Sequence, residues 1–176
     1  MVGALAKVIP YLVIISHVLL VIAFLAILSR RTWGRGIYEA LAKRAVLWGF
    51  LIALVSIVGS LFYSEIIGYE ACVLCWWQRV FLYPQAIIFG VALWFKDNNL
   101  FRYIVPLAIF ALVIALYQEY ANLGGTSLFS CTTAEGACSK IYVKEFGYIT
   151  IPVMSITVSL YVLLLAWVHK LHREKP

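Results

Sequence analysis

The chain has 176 residues, of which 64% are hydrophobic and only 12% charged. A water-soluble domain carries about 25% charged residues, so this chain lacks the charge to cover a water-facing surface. Disorder is excluded as well, since it needs low hydrophobicity. The net charge of +6 invites a nucleic-acid partner, but its placement follows membrane topology, as shown next, so no nucleic acid is expected. Long unbroken apolar runs, rather than short alternating ones, exclude a membrane β-barrel. The composition indicates an all-α membrane protein.

A helix needs about 20 mostly apolar residues to cross a bilayer. Five runs qualify or nearly do. The first covers residues 8–28. Only Lys7 precedes it and Arg30, Arg31 and Arg35 follow it, the reverse of a cleaved signal peptide. It reads as a retained helix with its N-terminus outside. His17 within it is expected to bond to a neighbouring helix. The second run covers residues 45–67. The third, residues 80–95, is short, and Trp76 and Trp77 extend it at the interface. The fourth covers residues 103–121 and the fifth residues 149–168. Pro84 and Pro106 are expected to kink their helices. With the N-terminus outside, the cytoplasmic parts hold Arg30, Arg31, Arg35, Lys43, Arg44, Lys96, Arg102, Lys170, Arg173 and Lys175. Those are ten of the 14 basic residues, which is the positive-inside pattern.

The same topology puts all four cysteines at the outer face, where disulfides persist. They fall in two close pairs. Cys72-Val73-Leu74-Cys75 places two thiols one helical turn apart. A helix N-terminus there favours a thiolate, and Arg79 lies one turn after Cys75 on the same face. Cys72 is expected to be the outward sulfur and Cys75 the one turned toward the membrane. The competing readings are a structural staple and an arginine that snorkels to headgroups. Cys131 and Cys138 lie in the Gly/Ser/Thr-rich segment 124–139, which can present a disulfide to a partner. Zinc binding by the four cysteines and a purely structural disulfide are the alternatives here. Glu65, Glu70 and Glu119 are candidate proton relays or solvated interfacial carboxylates. Residues 139–146 are expected to lie flat on the membrane and anchor the loop.

Cys72-Val-Leu-Cys75-Trp-Trp-Gln-Arg79 with Tyr83-Pro84, and later Cys131…Cys138-Ser139 with Phe146-Gly-Tyr-Ile-Thr-Ile-Pro152, resembles the DsbB family of membrane thiol oxidases. The pattern looks most like its short-loop, BdbC-like branch. The resemblance implies a four-helix transmembrane bundle over residues 45–176, with residues 1–44 adding an extra N-terminal helix and a basic cytoplasmic loop. It implies a thiol:quinone oxidoreductase in the bacterial cytoplasmic membrane that reoxidises a secreted, thioredoxin-like DsbA-type protein. By the same likeness Cys131 takes the mixed disulfide with that partner and Cys138 is its pair. Cys72 and Cys75 then reoxidise the loop dithiol, and Cys75 and Arg79 face the quinone, ubiquinone or menaquinone. The family's histidine near the outer end of its third helix is absent, which leaves Tyr120 or Glu119 as its replacement. The contrasting expectation is a non-enzymatic membrane scaffold or transporter subunit with two structural disulfides.

Overall fold

A computed structural model describes residues 2–97, 99–125 and 141–174. Among these residues six α-helices follow one another: α1 (Val2–Leu28), α2 (Arg35–Lys43), α3 (Ala45–Leu61), α4 (Val73–Phe95), α5 (Phe101–Asn122) and α6 (Ile151–Arg173). Among the described residues there is no strand, only one antiparallel bridge, Glu145 to Ile149. Four of the helices are long and apolar enough to cross a bilayer: α1, α3, α5 and α6. Helix α4 has the length, 23 residues, but Gln78, Arg79 and Gln85 dilute its hydropathy. It packs between α3 and α5, so the chain is a multi-pass membrane protein.

Helices α3, α4, α5 and α6 form the central bundle. Its core joins Ala45 and Ala53 of α3, Phe89 of α4, Phe101, Ile104 and Ala108 of α5, and Val162 and Leu165 of α6. Small residues let these backbones approach, which is how helices associate where lipid removes the hydrophobic drive. Gly49 marks a very close approach: a Cβ there would stand 2.4 Å from the Phe89 ring. Pro84 and Pro106 both lie inside continuous helices. The Gln85 side-chain amide donates to the Phe81 carbonyl, 3.0 Å away, in the turn that Pro84 disturbs.

Helix α1 runs parallel to α6. His17 pairs with Thr157 Oγ1 at 2.8 Å and with the Tyr148 hydroxyl at 3.2 Å, the interhelical bond expected of it. Tyr161 donates to the Ser16 carbonyl one turn away. Residues 35–43 are helical, where the sequence reading had only a basic loop. The sequence hid this because the helix is short and amphipathic: Arg35 and Lys43 pair with Glu39 on one side. Tyr38 and Ala42 bury the other side against Ala23, Ile27 and Val168.

Helix termini set up the cysteine end. The last turn of α3 widens into a π-helical turn, Phe62–Ile66, a feature often found at functional sites. Gly68, at φ 81°, reverses the chain. Cys72 then starts α4 as its cap, with extended backbone (φ −70°, ψ 169°). At α6, Thr150 accepts the Val153 N–H and Pro152 sits in the first turn, where no N–H is needed.

Candidate functional site

The site grows from the first turn of α4, ahead of the apolar run 80–95. Capping puts the Cys72 side chain back over the helix start, so Cys72 Sγ accepts the Cys75 N–H at 3.4 Å. The helical turn then brings the two sulfurs to 3.1 Å. Cys72 is the enclosed sulfur, 8% exposed, and Cys75 is half-buried. Leu74 is buried beside Cys72, and Ile114 and Tyr117 pack against the pair.

The two thiols are not equivalent. Cys75 is held below the ordinary thiol range, first by its hydrogen bond with Cys72, then by Gln118 and the charge of Arg79, against the opposing effect of burial. Cys72 is pushed up, first by that same shared hydrogen bond and then by burial and by negative charge on Cys75. A dithiol here therefore places its first charge on Cys75, the form that reacts.

Helix α5 supplies a side chain that spacing alone did not reveal. Gln118, buried at 6% exposure, donates from Nε2 toward Cys75 Sγ at 3.4 Å and Cys72 Sγ at 3.5 Å. Gln78 of α4, equally buried, donates to Gln118 Oε1 at 2.6 Å. The one available signal was a primary amide inside the apolar fourth run, since intramembrane polar residues rarely lack a role. Tyr120, one of the two side chains expected to stand in for the missing histidine, is exposed. Glu119, the other, accepts from Thr150 Oγ1 at 2.6 Å and Asn122 at 3.3 Å.

Arg79 lies one turn below Cys75 and is half-buried. Its Nε donates to Ser60 Oγ at 3.1 Å, and the Tyr83 hydroxyl donates to the same oxygen at 3.1 Å. Its guanidinium carbon stands 5.1 Å from the centre of the exposed Trp76 ring, within cation–π range. Among the described residues Arg79 forms no ion pair. It is a half-buried cation one helical turn from Cys75, and a guanidinium there can stabilise an anionic or electron-rich group. Tyr83 belongs to the motif quoted above, whereas Ser60, which joins it in orienting Arg79, was not read from the sequence.

Cys131 and Cys138 lie outside the described residues. The segment that follows them is anchored: Tyr142 stacks on Tyr69 at 4.7 Å, and Tyr69 on Tyr63 at 5.9 Å. Phe146 meets Tyr11 of α1 edge-on at 5.1 Å. The Glu145–Ile149 bridge closes a tight turn through Phe146 and Gly147, both at positive φ. Over 141–146 this segment is held to the protein by ring contacts of Tyr142 and Phe146. Glu65 and Glu70 are exposed, and Glu65 accepts from Ser64 at 2.9 Å.

Comparison with known proteins shows the family of the chain. The family described as "Disulfide bond formation protein DsbB" matches residues 42–169. An SPbeta prophage-derived disulfide bond formation protein B of Bacillus subtilis is 42% identical over 106 residues, covering 60% of this chain and 72% of the relative. A probable disulfide formation protein C 2 of Bacillus anthracis is 32% identical over 131 residues, covering 74% of this chain and 92% of the relative. A probable disulfide formation protein of Deinococcus radiodurans is 37% identical over 128 residues, covering 67% and 84%. No solved structure matches. The match over residues 42–169 takes in α3, α4, α5, most of α6 and all four cysteine positions, and on it the chain belongs to the DsbB family of disulfide bond formation proteins.

Proposed function

We propose that this chain is a thiol:quinone oxidoreductase that reoxidises a secreted DsbA-type dithiol protein. The observation that carries the reading is the Cys72–Cys75 pair with its polarised Cys75 and the cation of Arg79 beside it. A thiolate of the reduced partner attacks Cys131 of the loop disulfide, and Cys138 leaves. The partner's second thiolate resolves the mixed disulfide, so the partner departs oxidised and the loop holds two thiols. The loop dithiol then passes its electron pair to the Cys72–Cys75 disulfide by the same two exchanges. Two electrons and two protons leave the partner in each cycle.

The residues present suit a quinone as the final acceptor. Cys75 has an open side, Arg79 has charge to spare, and the exposed faces of Trp76 and Trp77 offer flat apolar walls. Cys75 and Arg79 would hold it. When bound, ubiquinone or menaquinone takes up two electrons and two protons. Arg79 stabilises negative charge at that position without itself losing a proton. The cysteines are assigned to the outer face of the bacterial cytoplasmic membrane, with the start of α1 outside and the end of α6 inside.

The test uses the full chain in lipid nanodiscs with a reduced DsbA-type protein and each quinone in turn. Loss of partner thiols should match the quinone reduced, one disulfide for each quinone. Cys75→Ser and Cys131→Ser should each abolish turnover. Full activity in both variants would refute the reading, and disulfides inert to the partner would favour a structural role for the cysteines.

A further inference from the structure

We propose that Gln118 and Gln78 are positioning residues for the leaving thiolate: Gln118 holds the sulfur of Cys75 once the Cys72–Cys75 bond opens, and Gln78 fixes the Gln118 amide in the donating orientation. The inference deepens the proposed function and rests on it for the direction of electron flow.

Both amides are buried between α4 and α5, 6% exposed each. A buried amide is costly unless its donors and acceptors are used. Here Gln118 directs its Nε2 at the two sulfurs, 3.4 and 3.5 Å away, and its Oε1 accepts from Gln78 at 2.6 Å. Gln78 is one turn after Cys75 on α4, so the chain Gln78–Gln118–Cys75 closes a ring between two helices. The ring links the helix that carries the thiols to the helix that packs over them.

The chemistry explains the placement. An incoming loop thiolate forms a new S–S bond to Cys72 Sγ. The Cys72–Cys75 bond breaks and its electron pair leaves on Cys75 Sγ. At that moment a new anion stands in a half-buried site. Cys72 is now in a disulfide and has no proton to share, so the hydrogen bond between the two cysteines is gone. The remaining stabilisers are the Gln118 N–H, a backbone N–H at Cys72 and the charge of Arg79. A hydrogen bond to an ionised acceptor is about twice as strong as one to a neutral acceptor, so Gln118 favours the opened state over the closed disulfide. A carboxamide does not titrate, so this support holds at any working pH. Other charged or titratable groups on the surrounding elements are Arg79 on α4, Tyr117 and Glu119 on α5, and Tyr63 and Glu65 on the π-helical turn. Glu119 is bonded to Thr150 and Asn122, and Glu65 to Ser64.

The test needs neither quinone nor partner. In a Cys72→Ala background of the full chain, Cys75 has no donor side chain at position 72, as in the opened state. Its alkylation by iodoacetamide is followed over a pH series by peptide-resolved mass spectrometry. Gln118→Met, which keeps the volume and removes the donor, should raise the midpoint by about one pH unit, read as about tenfold slower alkylation at pH values below both midpoints. Gln78→Met should shift it less in the same direction, and the double variant should match Gln118→Met alone. Gln118→Asn, which keeps an amide but withdraws it from the sulfur, should repeat the shift and guards against a folding loss. An unchanged midpoint in both Gln118 variants would overturn the proposal. If the shifts appear while the native chain fails to oxidise a partner with quinone, the positioning role stands and the proposed function falls.

Discussion

The seam between α4 and α5 has two unlike ends. At the end away from the cysteines, Phe89 meets Phe101 edge-on at 5.9 Å, with Ala92, Ile104 and Ala108 filling the layer. At the cysteine end the same two helices meet through two sulfurs, two amides and Tyr117, with Arg79 and Ser60 close by. One end is packed mainly through apolar side chains and gives stability. The other holds buried polar groups that are costly unless each finds a partner, and is kept for reactivity. The apolar end supplies the fixed geometry on which the polar end depends.

Substitutions at each end should separate these roles. The largest effect is expected from Cys75→Ser: turnover with a DsbA-type partner should vanish while thermal unfolding in detergent stays unchanged. Phe89→Ala should do the opposite, costing ~3 kcal/mol of stability and leaving the pH profile of Cys75 alkylation in place; a shifted profile would show that the two ends are not separable. Arg79→Met should lower turnover about 10²-fold, as loss of a charge-stabilising donor does elsewhere, with Arg79→Lys recovering part of it. If turnover held and only stability fell, Arg79 would belong with the packing. The smallest effect is Thr150→Ala, about 1 kcal/mol of stability from the lost α6 cap, read as a lowered unfolding temperature. It leaves Glu119 with Asn122 alone, and unchanged turnover in a separate Glu119→Gln variant would remove Glu119 from the list of proton carriers.

The sequence made the spans legible because a bilayer imposes length and hydropathy directly. It made Cys72, Cys75 and Arg79 legible because their spacing along one helix already fixes their neighbourhood. Gln118 was invisible for the converse reason: 43 residues separate it from Cys75, and only the packing of α5 on α4 brings them together. Ser60 is the same case, placed by the turn at the end of α3. Helix α2 was missed because its apolar stripe is two residues wide, Tyr38 and Ala42.

The contact between Gly49 and Phe89 also constrains how this sequence can change over generations. A methyl group at position 49 would stand 2.4 Å from the ring carbons of Phe89, so Gly49→Ala should be tolerated only after Phe89 has become smaller. The reverse order passes through a clashing intermediate. The two positions therefore behave as one inherited unit with a fixed order of substitution. Libraries that vary position 49 alone should recover only glycine there. Libraries that vary both positions together should recover Gly49→Ala paired with changes such as Phe89→Leu.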